Sequence, residues 1–174
     1  MRFAPALGIL VGLGWFTAFL APPSAASGII LDDPKGFQGF AWGSPLAAAT
    51  DLTLSETGEH INGFDLKQSP PPLGDAKVES MRFYTYDGAF ARVIIRYRGR
   101  TTHDQVMLYL QMRFGPIERT PGQMTRGLNQ QYNWRGPDTE INLTYDGRGE
   151  RGFVFVESRT LAPRFNDSLS ETGY

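Results

Sequence analysis

The sequence predicts an α+β fold, in which an antiparallel β-sheet carries one or two helices packed on one face. Two strand-like runs flank an Asp87-Gly88 pair, and residues 103–114 then repeat apolar side chains with helical spacing. Three further strand-like runs follow that helix. The chain of 174 residues is long enough for one such domain and too short for two ordinary ones.

The first 26 residues are predicted to be a cleaved signal peptide. Arg2 precedes an uncharged, apolar run over residues 4–20. Ser24 and Ala26 then occupy the small-residue positions of a cleavage site, which predicts a cut after Ala26. The protein is therefore expected to be periplasmic or secreted, and contact with a membrane is expected only if the apolar run is retained as an anchor.

The start of the mature chain predicts one short strand, one helix and a loop. Residues 37–42 are extended, and Ser44 then offers an N-cap for a helix that starts with Pro45 at the first helical position and continues over residues 46–52. Residues 55–75 contain two glycines and three consecutive prolines. This composition predicts an irregular segment.

A β-hairpin is the clearest element that the pattern predicts. Its strands are residues 78–86 and 89–98, and Asp87-Gly88 is a favoured two-residue turn between them. Counting from that turn places Phe83 opposite Arg92.

The hairpin leads into a helix, which is predicted over residues 103–114. Thr102 and Gln105 fit a capping box, and Gly115 followed by Pro116 ends the helix. The apolar side chains of the helix form a single stripe, which is typical of a helix that packs against a sheet.

Three strands complete the predicted domain, over residues 130–135, 139–145 and 152–159. The folded domain is expected to span residues 27–165, and residues 166–174 are expected to be a frayed polar tail.

Composition and charge exclude several classes of function. The chain has no cysteine, which excludes disulfides, thiol catalysis and thiolate metal sites and suits a bacterial periplasm. Removing Arg2 with the signal leaves 16 basic and 18 acidic residues, a mature net charge of 16 − 18 = −2. This balance argues against a polybasic nucleic-acid binder.

Arginine is concentrated in the second half of the mature chain and suggests a binding surface. Alternation along the second hairpin strand places three arginines on one face, where they could bind carboxylates or phosphates. The candidate surface comprises Arg92, Arg96, Arg98, Arg100, Trp42 and Trp134. The alternative is that the arginines balance acidic residues within the fold and that the aromatic side chains pack in the core.

No catalytic residue, metal site or cofactor site is predicted. His60 and His103 lack zinc-ligand spacing, and both are expected to be solvated, although His103 could serve as a neutral general base. Residues 147–152 read G-x-G-x-x-G but lie between strands, so they are expected to form a hairpin loop rather than a dinucleotide site. The acidic pairs Asp32-Asp33 and Asp138/Glu140 are expected to be solvated loop groups.

Several of these motifs together resemble a group of small exported bacterial single-domain proteins of unassigned function. The motifs are Phe37-x-Gly39-x-x-Trp42-Gly43, the Asp87-Gly88 hairpin, the helix end Phe114-Gly115-Pro116, and Trp134 before a strand. The resemblance covers residues 36–161. It implies a single α+β domain in the periplasm and carries over no catalytic residue.

These observations predict an exported binding or accessory domain that acts through a sheet face and its loops. The expected partner is an envelope protein or polymer, and no nucleic acid is expected. Two alternatives stay open: a hydrolase-like periplasmic enzyme that uses His103, and a membrane-anchored subunit of an envelope complex.

Overall fold

A computed structural model describes residues 26–30, 32–117 and 129–171 of the chain. The predicted signal segment lies outside the described residues up to position 25, and its cleavage stays a prediction. No helix within the described ranges is long and apolar enough to cross a membrane.

The described residues form ten strands and two helices, in an order that agrees with the predicted α+β class. The strands are β1 (Ala26–Ile29), β2 (Gly36–Phe37), β3 (Phe40–Ala41), β4 (Leu52–Thr57), β5 (Ile61–Leu66), β6 (Ser80–Tyr86), β7 (Ala89–Arg98), β8 (Gln130–Arg135), β9 (Thr139–Asp146) and β10 (Arg151–Ser158). The helices are α1 (Arg100–Phe114), between β7 and β8, and α2 (Ala162–Glu171).

Eight of these strands build one sheet in the order β1-β8-β9-β10-β7-β6-β5-β4. All neighbours are antiparallel except β1 and β8, which run parallel. The predicted α+β class is therefore confirmed, but the sheet is mixed because β1 and β8 are parallel. The prediction that the helices share one face is wrong, because α1 packs on the core side and α2 packs on the other side, over Arg92. The three strands predicted after the helix are also confirmed, each to within one residue of its predicted ends.

The two faces of the sheet differ in what packs on them. One face, called here the covered face, carries the apolar core, which includes Phe83, Val93, Ile95, Trp134 and Val154. Helix α1 packs on the covered face and adds the buried side chains Val106, Leu110 and Phe114 to the core. The opposite face is called the open face.

The central hairpin β6–β7 forms as predicted, but the predicted register is wrong by one residue beyond Thr85. The turn residues Asp87 and Gly88 have φ angles of 47° and 80°, as the predicted two-residue turn requires. A β-bulge beside Tyr84 then inserts one extra residue, so Phe83 pairs with Val93 and Tyr84 pairs with Arg92.

Helix α1 begins earlier than predicted. It starts at Arg100, and Gly99, with a φ angle of 95°, is the N-cap without any side-chain capping bond. The predicted cap at Thr102 is therefore wrong, because the strand runs directly into the helix through a backbone conformation that favours glycine. The predicted end at Phe114 is confirmed.

Three further predictions at the ends of the domain are wrong. Residues 46–51 form turns and loop rather than a helix, and β4 begins at Leu52. The segment predicted to be irregular, residues 55–75, contains the end of β4 and all of β5. Residues 166–171 of the predicted frayed tail belong to α2, and residues 172–174 lie outside the described residues. Phe165 is 2% exposed and anchors α2 to the sheet, a tertiary contact that the polar local sequence does not reveal.

Candidate functional site

Side chains on the open face come from alternate positions of neighbouring strands and therefore form rows across the sheet. One row comprises Asn133, Asn142, Phe155, Ile94, Arg82 and Asp65. The next row comprises Gln131, Thr144, Phe153, Arg96 and Ser80, and a shorter third row comprises Asp146, Arg151 and Arg98. All of these side chains are at least partly exposed.

Helix α2 lies on the open face beside these rows and covers Arg92. The Arg92 guanidinium forms a 2.5 Å ion pair with Glu157, donates a 2.6 Å hydrogen bond to Asn166, and lies 4.3 Å from the ring centre of Phe165. Arg92 is 7% exposed. The prediction that Arg92 belongs to an exposed binding surface is therefore wrong, because α2 buries it.

Three arginines beyond the edge of α2 form an exposed cluster, called here the arginine patch: Arg96, Arg98 and Arg151. Arg151 of β10 lies directly opposite Arg98 of β7. Like charges in directly opposite positions repel each other and destabilise the sheet. The sequence did not predict Arg151 as a surface residue, because its place beside Arg98 depends on the pairing of two strands that are distant in sequence.

The arginine patch has acidic neighbours but, among the described residues, only one ion pair. Asp146 of β9 lies directly opposite Arg151 without reaching ion-pair distance. Arg98 lies 3.4 Å from Glu79, with both side chains more than half exposed, so this pair adds little stability. Neither Arg96 nor Arg151 has a carboxylate within ion-pair distance in the described ranges; Arg96 instead lies 5.8 Å from the ring centre of Phe153. By contrast, the Arg82 guanidinium on the same face donates two hydrogen bonds to the Asp65 carboxylate, of 2.7 and 2.9 Å.

The remaining predicted surface residues do not join the patch. Trp134 is fully buried on the covered face and donates a hydrogen bond to the Gly115 carbonyl, so its selection as a surface residue is wrong. Trp42 is half-buried against Phe90 and donates to Thr139. Arg100 lies in the first turn of α1, where it faces Asp104 at 3.5 Å, and is not part of the strand row.

A groove with polar walls lies next to the arginine patch on the open face. It has a volume of about 290 Å³. This groove is called here the amide groove. Its polar and aromatic lining comes from Gln131, Asn133, Asn142, Thr144 and Phe155, and Arg92 and Glu157 also line it. Thr144 pairs with Phe153, and Phe153 pairs with Arg96, so two strand spacings of about 5 Å each separate the groove from the patch.

His103 is buried rather than solvated, which corrects the expectation for its first-turn position. The Tyr97 hydroxyl lies 2.7 Å from its Nδ1, and Gln130 Oε1 lies 3.1 Å from its Nε2. Because Gln130 Oε1 only accepts, Nε2 carries the proton and Nδ1 accepts from Tyr97. Burial lowers the pKa of His103 from its ordinary value, which favours this neutral ring.

The His103 cluster lacks the partner that a hydrolytic base requires. Both ring nitrogens are engaged by Tyr97 and Gln130, and the ring stacks on Tyr145 with centres 3.9 Å apart. Within the described ranges, no carboxylate hydrogen-bonds to His103. His103 and its neighbours are therefore typical of a hydrogen-bonded polar cluster in the core rather than of a catalytic nucleophile–base pair.

Asp33, predicted to be a solvated loop carboxylate, instead holds two segments of the chain together. Asp33 accepts hydrogen bonds from the backbone of Lys35, Asp138 and Thr139 and from the Thr139 hydroxyl. Partial burial alone would raise the pKa of Asp33, but these hydrogen bonds lower it below its ordinary value. Asp33 therefore ties the first segment of the domain to the β8–β9 turn.

The glycine-rich motif and the acidic and histidine side chains are the remaining candidates for cofactor and metal sites. Residues 147–150 form the turn between β9 and β10, so the glycine-rich motif is the predicted hairpin loop. Across residues 26–30, 32–117 and 129–171, no three His, Asp or Glu side chains are placed to hold a metal ion together.

Comparison of the chain with protein-family models, with curated proteins and with solved structures finds no match.

Proposed function

We propose that the chain is an exported binding domain whose arginine patch holds carboxylate or phosphate groups of an envelope partner. The observation that carries this proposal is the direct pairing of Arg151 with Arg98, beside an Arg96 that has no carboxylate within ion-pair distance among the described residues. Such a cluster costs folding energy through repulsion. A bound anion offsets that cost, because guanidinium groups bind carboxylates and phosphates with two parallel hydrogen bonds.

The surroundings of the patch favour a large partner over a small ion. The arginines are exposed on a sheet face and do not line an enclosed cavity. Phe153 and Ile94, which lie beside Arg96, are partly exposed and provide apolar contact area. A mixed surface of arginine and aromatic groups is typical of sites that bind macromolecules.

The test measures retardation of the purified mature chain by polyphosphate and by polygalacturonate in native gels. Arg96→Glu and Arg151→Glu are expected to weaken binding about tenfold or more, since a charged hydrogen bond contributes ~1.5–3 kcal/mol. Arg113→Glu is the matched control, because it makes the same charge change on α1, away from the open face.

Equal binding by the wild type, Arg96→Glu and Arg113→Glu would reject the arginine patch as the binding surface. Export is checked separately by expressing the full chain with a C-terminal tag. The intact mass of the protein recovered from the cells shows where the signal segment is cut. The processed chain is expected to begin at Ser27.

A further inference from the structure

The amide groove has the composition of a sugar site rather than of an anion site. Its walls bring together three amide side chains and one hydroxyl, from Gln131, Asn133, Asn142 and Thr144. Amides and hydroxyls both donate and accept hydrogen bonds, as sugar hydroxyl groups do. Phe155 adds an apolar ring that is partly exposed on the same surface.

Two of the three amide side chains, Asn133 and Asn142, are held in place by hydrogen bonds. The Asn133 amide group donates to Glu140 at 2.8 Å and to the Asn142 carbonyl at 2.6 Å. These bonds orient the Asn142 amide so that its NH₂ group stays available. Thr144 and Gln131 make no side-chain hydrogen bond within the described ranges, so their polar groups also remain available for a ligand.

The groove also borders a buried charged pair with unused hydrogen-bonding capacity. Arg92 and Glu157 both line it, and their side chains are 9% and 11% exposed. Arg92 Nε is buried and has no hydrogen-bond partner among the described residues. A buried donor without an acceptor is costly, and native proteins retain few such groups.

The position of the groove favours a sugar over a peptide. It lies on the face of β8, β9 and β10, and β9 and β10 are hydrogen-bonded to strands on both sides. The sheet backbone is therefore unavailable to add a peptide strand. Any ligand must therefore be recognised by side chains. A sugar ring fits them, because its hydroxyl groups can hydrogen-bond to the amides and its apolar C–H face can pack on Phe155.

We propose that the amide groove binds a neutral sugar residue, so that the partner of the open face is a glycan with acidic substituents. This inference rests on the proposed function, because the adjacent arginine patch would hold the acidic groups. About 10 Å separates the two sites, which is a short span along a polysaccharide.

The test titrates the mature chain with tri-N-acetylglucosamine, cellotriose and maltotriose, none of which carries a charge. Side-chain amide resonances of Asn133, Asn142 and Gln131 are followed by NMR. At least one of the three sugars is expected to shift them, while resonances around α1 stay in place.

Two substitutions remove hydrogen-bonding groups from the groove with little change of shape. Thr144→Val and Asn142→Leu are each expected to weaken binding of the shifting sugar by about fivefold. Thr53→Val on the exposed strand β4 is the matched control and is expected to leave binding unchanged. Thermal unfolding of each variant confirms that it is folded.

The outcomes separate this inference from the proposed function. If none of the three sugars shifts the amide resonances, or if Thr144→Val binds as the wild type does, the sugar site is overturned. Retardation by polyphosphate would then still test the arginine patch independently. If Arg96→Glu abolishes polyanion binding and leaves the sugar shifts unchanged, both assignments are supported.

Discussion

At the scale of single residues, Gly152 and Tyr97 show how one position can determine the packing of another. Gly152 of β10 lies opposite Tyr97 of β7, and a Cβ atom at Gly152 would overlap the Tyr97 ring. The ring therefore lies across the glycine and brings its hydroxyl to His103. A glycine inside a strand often marks such a close approach.

Gly152→Ala is expected to lower the free energy of unfolding by about 1–3 kcal/mol, because the added methyl group forces the Tyr97 ring to move. Urea unfolding followed by tryptophan fluorescence measures the change. Arg148→Ala, at an exposed position of the adjoining β9–β10 turn, is the control and is expected to stay within about 0.5 kcal/mol of the wild type. Equal stability of both variants would contradict the packing role of Gly152.

At the scale of secondary-structure elements, the bulge in the β6–β7 hairpin determines which side chains share a face. Simple alternation from the turn puts Phe90 on the same face as Arg92. The extra residue moves Phe90 to the covered face, where its ring lies 5.9 Å from that of Phe83. The arginines at 92, 96 and 98 still share a face, as predicted, because they lie beyond the bulge.

Helix α2 is a second element whose role depends on one side chain. Phe165 packs against Tyr84 and beneath the Arg92 guanidinium. Phe165→Ala is expected to cost about 3–5 kcal/mol, as for other buried phenylalanines. Arg164→Ala, at an exposed position on the same helix, is expected to change stability by less than about 0.5 kcal/mol.

Hydrogen exchange of the α2 amides provides a second readout for this prediction. Faster exchange confined to α2 in Phe165→Ala would show local undocking of the helix. Unchanged stability together with unchanged exchange would contradict the anchoring role.

At the scale of the whole molecule, acid is expected to destabilise the fold in two stages. The folded-state pKa of His103 is lowered, so its contribution is complete above the unfolded value of about 6.5 and is lost as the pH falls below it. The folded-state pKa of Asp33 is also lowered, so its contribution is lost at still lower pH, below the unfolded value of about 3.9.

Urea unfolding across this range measures the dependence. Between pH ~7 and ~5 the slope for His103 cannot exceed about 1.4 kcal/mol per pH unit, the value for one proton. His103→Gln is expected to flatten this part of the curve, whereas Thr53→Val, which leaves both histidines in place, is expected to retain it. A curve of unchanged slope in His103→Gln would contradict the assignment.

The sequence by itself determined the α+β class, the DG hairpin, the end of α1 and the three later strands. These features follow from local rules, because turn residues and the spacing of apolar side chains act over a few neighbouring positions. Neither the hairpin of β4 and β5 nor α2 could be read in this way. Helix α2 has only two large apolar side chains, Phe165 and Leu169, and contacts with other strands of the sheet stabilise these elements instead.

Only the tertiary structure decided which residues form the open face. The arginine patch joins Arg96 and Arg98 of β7 to Arg151 of β10, and the amide groove takes side chains from β8, β9 and β10. The sequence predicted two of those three arginines but also selected Arg92 and Trp134, which are buried. Strand order, register and helix docking bring distant positions together, and local sequence patterns do not encode these long-range pairings.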